Sequence, residues 1–415
     1  MQKILLFIAS LFYFNSLFAK DEIKSWQGIH ETPLSRLEQQ FAEPPVEFAN
    51  HVIWGWEGKM DKKTICNDLD SIKKKGFRAV IFEAGYKLPF KYLSEEWFKA
   101  IRTGVVEAKK RDMKVWIIDE GKYPSGFAGG KFSQERPDLR MQALVIGDTI
   151  QIKRGEVMTN HKIAPEIISA VAVSTSGAPN RTVEINNGKI SFNAGLDDWK
   201  ILLVKSDFRT AVTRAVNNPN GGKDATNSLC DYLNPVAVQQ FIDWTHKQYK
   251  KYLGKELGTT VLGFRGDEPD YAHLPWTPSI VQTFKDTKGY DPTPYLASFF
   301  TTSPTIQEQR VKADYWDVWS SLFATHFFKL QADWCAANGV AHITHLNKEH
   351  EMPACVKAEG DYFRALSKVQ IPGVDAIWNQ IWPSTLNDFP KLASSVAHVY
   401  GKPRAFSESF AAYHI

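Results

Sequence analysis

From Phe48 onward, short apolar runs rich in β-branched residues alternate with longer stretches whose apolar positions recur every three or four residues. Phe48 to Trp54 predicts a strand ending in Gly55-Trp56, and Asp61 to Lys75 an amphipathic helix with Ile65, Leu69 and Ile72 on one face and Gly76 as its stop. Arg78 to Phe82 predicts a second strand, Glu95 to Arg111 a second helix and Lys114 to Ile118 a third strand. Strands joined through helices imply a parallel sheet.

Between about Ala143 and Phe208 the helical period disappears, and alternating segments separated by Gly, Asn and Pro turns take its place. This predicts a small β-rich subdomain over residues 143–208, inserted after the third strand to shape one side of a cleft or simply as a tolerated elaboration. The βα rhythm then resumes. Helices are expected from Pro235 to about Leu253, Pro278 to Lys288, Ile306 to Asn338 with a break, near Tyr362 to Lys368, and Asp388 to Val399. Strands are expected at Thr259 to Phe264, Val340 to Thr344, Gly373 to Ile377 and Arg404 to Ser407.

Seven such strands suggest an α/β fold of the (β/α)8 TIM-barrel type over residues 45–415, rather than a doubly wound sheet. No eighth strand is visible, so the barrel reads as truncated after strand seven. Such a seam would expose two parallel edges, and the expectation is a piece of a longer protein or a gap filled by another segment or chain. An open barrel misplaces groups that must be held within about 0.5 Å, so the piece alone can be inactive.

Ahead of this unit, Met-Gln-Lys is followed by a mostly apolar run from Ile4 to Phe18, then Ala19 and charged Lys20-Asp21-Glu22. Residues 1–19 read as a signal peptide, which uncleaved would be a membrane anchor, and 20–44 as a leader; cleavage predicts a secreted or periplasmic protein with no stable membrane insertion. The four cysteines, Cys66, Cys230, Cys335 and Cys355, have no metal-binding spacing, and export permits a disulfide without requiring one. A net charge of +4 over 415 residues, with its basic runs interleaved with acids, offers no stripe for a phosphate backbone, so nucleic acid is not an expected partner.

Chemistry in a barrel lies at the carboxyl ends of its strands. Those ends bring Trp54, Trp56, Glu83, Asp119, Glu120, Arg265, Asp267, Glu268, His342, His345, Asn347, Asp375, Trp378 and Glu408. Converging carboxylates can have pKa values driven apart into acid and base, while aromatic faces and polar side chains suit sugar rings and hydroxyls. The set predicts glycoside hydrolysis, with Glu268 as general acid (Asp267 or Asp270 as alternatives), Glu408 as base or nucleophile, and the others as substrate-binding groups. His342 and His345, three apart on one strand, point to opposite faces, so at most one of them reaches sugar and the other packs or caps. Asp119 and Glu120 also suit anchoring of the glycine-rich run that follows them. A carboxylate separation of roughly 5 to 5.5 Å favours retention and roughly 6.5 to 9.5 Å inversion. His350-Glu351 does not continue as HExxH, which removes the zinc-protease reading. No cofactor is required and no metal ligand is assigned; oxygen-rich surroundings favour calcium over zinc if a metal binds.

Trp54-Gly55-Trp56, the block from Asp119 to Gly130, Asp267-Glu268, Ile371-Pro372-Gly373-Val374-Asp375 and Phe406-Ser407-Glu408-Ser409-Phe410 together resemble glycoside hydrolase family 106, the α-L-rhamnosidase-like enzymes. The resemblance covers most of residues 45 to 410. It implies a secreted, multidomain, calcium-associated, inverting enzyme with β-sandwich domains after the barrel, Glu268 as its general acid and Glu408 as its general base. His342 to Glu351 departs from the family's glycine-rich run, which weakens the carry-over of rhamnose specificity and of calcium ligands. Two other readings compete with hydrolysis of a terminal sugar from a polysaccharide or oligosaccharide. A non-catalytic carbohydrate-binding protein on the same scaffold would keep binding sugar without Glu268. A polysaccharide lyase would use Tyr or His as base and leave an unsaturated product.

Overall fold

A computed structural model describes residues 33–43, 48–209, 213–214, 223–224, 228–271, 274–377, 380–381, 384 and 387–409. The proposed signal peptide, Trp378 and the last six positions lie outside the described residues. Within the leader, Leu34–Ala42 forms a helix with no buried residue.

Seven parallel strands pair in sequence order: β1 (His51–Trp56), β2 (Ala79–Ala84), β3 (Lys114–Ile118), β4 (Val261–Asp267), β5 (Ala341–His345), β6 (Ile371–Ala376) and β7 (Phe406–Ser409). The sheet curls. Ile81, Trp116, Ile118, Leu262, Ala341, Ile343 and Ile371 from five different strands form one apolar cluster on its concave side, with Phe406 packed against it. Successive side chains alternate faces, so Phe82, Val115, Ile117 and Phe264 point outward into the helix layer. Among the described residues β1 and β7 do not pair, and the closed eight-stranded barrel is not formed. A cavity of about 760 Å³ occupies the concave side from Phe48 and Arg404 to Arg265 and Glu408.

Local chemistry explains the helix ends. Asp61 accepts from the Thr64 backbone N–H ahead of helix Lys62–Lys74, and Ser94 from Trp97 ahead of helix Glu95–Lys110. The helix expected from Pro235 to Leu253 divides at Thr245, whose hydroxyl donates to the Phe241 carbonyl and whose ψ of −86° turns the chain into a second helix, His246–Leu253. The expected break after Ile306 is a π-helical turn, Ala324–Phe328, between helices Ile306–Phe323 and Lys329–Ala337.

The β-rich region folds as an antiparallel sheet built on Gln142–Ile152, Trp199–Phe208 and Ile167–Ser174. Alternation divides it: Ala170, Ala172, Ile201 and Leu203 fill its own small core. Val171, Leu202 and Val204 join the main core. The sheet also recruits Pro275–Trp276, which pairs with Gln142 and Ala143. It packs on the 3-10 segment Thr293–Phe300, where Ser169 Oγ accepts from the Ala297 N–H at 3.1 Å. Its attachment to later chain makes it a wall of the whole molecule rather than a free appendage.

At the β4–β5 register pair Gly263 and Ala341, a Cβ on Gly263 would stand 1.9 Å from the Ala341 carbonyl oxygen. Gly263→Ala is therefore expected to destabilise the fold by about 1–3 kcal/mol or more, as overpacking does. Gly55→Ala, whose methyl would meet only Glu83 Oε2 at 3.5 Å, is expected to change little. Urea midpoints of the two variants against the parent check the contrast.

Candidate active site

At the carboxyl ends of the strands one buried cation gathers the acids. Arg265 on β4 is 2% exposed. Its Nη2 donates to Glu408 Oε2 of β7, and it lies 2.9 Å from His345 Nε2 of β5 and 3.6 Å from Asp267 Oδ1. His345 Nε2 in turn stands 3.1 Å from Asp267 Oδ1 and 3.3 Å from Glu408 Oε2. Burial disfavours charge on the imidazole, but its bonds to Asp267 and Glu408 outweigh that and raise its pKa well above the ordinary range. Burial likewise works against an ionised Glu408, yet the Arg265 charge and the His345 bond hold its carboxyl below the usual value.

Glu268 sits just past β4 with a positive φ of +41°, a strained conformation for a non-glycine residue. One ligand-type atom each of Glu268, His345 and Asp375 lie within 4.8 Å of one another. Burial first, then the negative charge of Asp267, pushes the Glu268 carboxyl up to about 8. Burial raises Asp375 to about 6 and Glu349 to about 7, and Asp375 Oδ1 and Glu349 Oε2 are buried without hydrogen-bond partners. The two candidate catalytic carboxyls thus occupy opposite environments: Glu408 beside two cations, Glu268 among other acids.

Glu83 reaches the cluster from β2, where Lys122 Nζ pairs with its Oε1 at 2.9 Å and lies 4.8 Å from the Tyr86 ring centre. Lys122 and Glu349 are members that strand-end reasoning missed, because both stand on loops. The density of charge in the block from Asp119 to Gly130 and in the run from His342 to Glu351 was the available signal.

Several proposed sugar contacts are corrected by where the side chains point. Trp54 and Trp56 pack on each other and on Phe82, with ring centres 5.0–5.5 Å apart, and Trp56 also meets Trp97; both indoles face the helices, not the cleft. His342 faces outward as well, because it pairs in register with outward Phe264 while Ile343 points in. Glu120 is 1% exposed, and both its oxygens accept backbone N–H groups, from Gly121, Phe127, Ala128 and Gly129. Asp119 is fully buried and takes the Ser125 hydroxyl at 2.6 Å. These two acids fold the glycine-rich loop rather than touch substrate. That loop then braces β4, since the Asp267 N–H donates to Ser125 Oγ at 2.7 Å and the Ser125 N–H to the Asp267 carbonyl at 2.8 Å. Asn347 is half-buried, with its backbone N–H held by Glu359 Oε1.

Calcium, implied by the family resemblance, needs about six to eight oxygen donors. Among the described residues every converging set of three His, Cys, Asp or Glu groups includes a histidine, and Asp267 and Glu408 are already engaged by Arg265 and His345. This set does not fit a calcium ion. All four cysteines are free thiols. Among the described residues no helix is long and apolar enough to cross a membrane. A second cavity, of about 870 Å³ and lined by Trp316, Phe299 and Met352 among others, includes none of these carboxylates in its wall.

The sequence profile of the family described as alpha-L-rhamnosidase, glycoside hydrolase family 106, matches residues 156–414. A curated relative from Formosa agariphila, provisionally named a beta-glucuronidase, is 23% identical over 91% of this chain and 35% of its own length. The solved rhamnosidase of Novosphingobium sp. PP1Y superposes with a TM-score of 0.63 at 16% identity, covering 89% of this chain and 52% of that one. The chain thus spans about a third of the curated relative and about half of the solved structure.

Glu120→Gln replaces an acceptor oxygen with a donor that faces backbone N–H groups. A loss of about 1–3 kcal/mol in stability is expected, together with faster amide hydrogen exchange at Phe127, Ala128 and Gly129. Exchange mass spectrometry with a urea titration checks both.

Proposed function

The chain belongs to glycoside hydrolase family 106, and we propose that it removes a terminal sugar, an α-L-rhamnoside in the first instance, from a complex polysaccharide or oligosaccharide by paired-carboxylate, inverting hydrolysis. It is a glycoside hydrolase, similar to rhamnosidases and to a protein named for glucuronides. The observation that carries the mechanism is the opposite tuning of Glu268 and Glu408.

At neutral pH a carboxyl titrating near 8 holds its proton, so Glu268 is the group able to protonate the departing glycosidic oxygen. Glu408, kept ionised by Arg265 and His345, is the group able to take a proton from attacking water. As the water's proton arrives, the Arg265 and His345 charges still surround the Glu408 oxygens and keep their orientation. Asp375 and Glu83 line the same mouth as acceptors for sugar hydroxyls.

Export belongs to the same proposal, supported by the apolar run from Ile4 to Phe18 followed by Ala19. So does a complete (β/α)8 barrel with further domains, supported by the sheet order, in which β1 and β7 are the end strands among the described residues, and by the greater length of the relatives.

The test uses the complete gene product with oligosaccharides ending in rhamnose and, in parallel, in glucuronic acid, followed by proton NMR. Release of a sugar with inverted anomeric configuration is expected, with a loss of at least about a hundredfold in Glu268→Gln and Glu408→Gln. A retained configuration would overturn the inverting route, and sugar binding without turnover would favour the carbohydrate-binding reading. The pH profile of kcat/KM follows from the two shifts. Activity should fall as pH rises through about 8, where Glu268 loses its proton, and fall again on the acid side only below the ordinary carboxylate range, where Glu408 gains one.

A further inference from the structure

On the opposite face of β5 from the carboxylate cluster, three donors of another kind meet in an apolar pocket. His246 opens the helix His246–Leu253, Cys335 lies on the helix Lys329–Ala337 and His342 on β5, and all three are at most 1% exposed. One ligand-type atom from each lies within 4.8 Å of the other two. The wall is aromatic: the His246 ring is 4.2 Å from Phe264, 5.3 Å from Trp334 and 6.0 Å from Phe241, centre to centre.

Hydrogen bonding here is incomplete in a way that costs stability. The Thr245 hydroxyl donates to the Phe241 carbonyl, so its oxygen accepts from His246 Nδ1 at 2.9 Å. That fixes the tautomer: His246 Nδ1 carries the hydrogen and Nε2 a bare lone pair. His246 Nε2 has no partner, nor does either ring nitrogen of His342. Each unsatisfied buried polar group costs about 1–3 kcal/mol, and two such imidazoles beside a buried thiol suit a shared occupant.

We propose that His246 Nε2, Cys335 Sγ and one ring nitrogen of His342 hold a single soft metal ion, monovalent copper, between the parallel sheet and its helix layer. Thiolate and imidazole are donors for soft and borderline ions and not for calcium or magnesium. The bond from His246 Nδ1 to Thr245 is the kind of outer contact that orients a metal-ligating imidazole. Charge selects among the candidates. Two neutral imidazoles, one thiolate and Cu⁺ sum to zero, which an apolar pocket tolerates, whereas Zn²⁺ would leave a net positive charge and want a fourth ligand. Burial favours the neutral form of both imidazoles and likewise holds the Cys335 thiol protonated, so the ion itself must displace that proton.

Binding exchanges the Cys335 S–H bond for a copper–sulfur bond and releases one proton, with no change of oxidation state. Three donors within 4.8 Å of one another are close enough to share one ion at bond lengths of about 2.0–2.3 Å, the zinc values for nitrogen and sulfur. The pocket is sealed, so the ion enters as the chain folds.

The test refolds the protein from guanidinium under anaerobic conditions with Cu⁺ or with Zn²⁺, desalts it and measures bound metal by mass spectrometry. One retained copper per chain is expected, with a higher thermal midpoint than the metal-free protein. Cys335→Ala and His342→Phe should lose it and Cys66→Ala should keep it. X-ray absorption of the copper-loaded parent should show one sulfur and two nitrogen neighbours, a readout that does not depend on the variants folding. Failure of the parent to retain either ion would overturn the site. Retention of zinc in place of copper would overturn the choice of ion, and undiminished copper in both Cys335→Ala and His342→Phe would overturn its location. None of these outcomes involves Glu268 or Glu408, so the glycosidase reading stands or falls separately.

Discussion

Arg265 is a full positive charge withdrawn almost completely from water, and the arrangement of the candidate site follows from what is needed to keep it there. A buried cation without partners is costly by several kcal/mol. Burial opposes its charge, and the negative groups Asp267, Glu408, Glu83 and Asp375 outweigh that opposition. Those four come from the ends of β4, β7, β2 and β6, so one guanidinium ties together strands that lie far apart in sequence. It also sorts the acids. Glu408 touches it and is held below the usual carboxyl range, whereas burial and neighbouring carboxylates push Glu268 up to about 8.

A second support lies behind β4. Four backbone N–H groups of the glycine-rich loop converge on the Glu120 carboxylate, and the Tyr232 hydroxyl donates to the Ser125 carbonyl from the helix side. At Gly126, with φ +110°, a Cβ would stand 2.5 Å from the Tyr232 ring, so this turn requires glycine. Ser125 then fixes Asp267 through two hydrogen bonds. The residue after Asp267 is Glu268, whose positive φ is a strained conformation that a loosely held loop would relax. Buried acids that never meet substrate therefore set the backbone of the one proposed to donate the proton.

The order of the strands was legible from hydrophobic runs, because strands buried on both faces are continuous and apolar. So was the position of the chemistry, since acids directly after such runs fall at the carboxyl ends. Facing was harder to read. Period-two alternation decides which side each residue serves, and a continuous apolar run hides that parity. Register makes it plain: Trp54 pairs with outward Phe82 and Gly55 with inward Glu83, so the indoles at 54 and 56 belong to the helix layer. The same parity separates His345, among the carboxylates, from His342, behind the sheet. Lys122 and Glu349 were beyond strand-end logic altogether, because loops carried them in.

Glu408 occupies an edge. Among the described residues β7 pairs only with β6, in the register Asp375 to Glu408, and its outer side has no ladder partner. Its place is held instead by contacts across the concave face: Arg265 and His345 on the carboxylate, and the Phe406 ring fitted against Gly373, where a Cβ would stand 2.1 Å away. A strand paired on one side among the described residues rests more on its side-chain contacts than a central strand does, and the spacing of Glu408 and Glu268 depends on where it sits. On the proposed roles of Glu268 and Glu408, that distance decides whether water fits between acid and base. Closure of the sheet against β1 would therefore do more than bury two edges, since it would set the spacing on which the stereochemistry of the reaction depends.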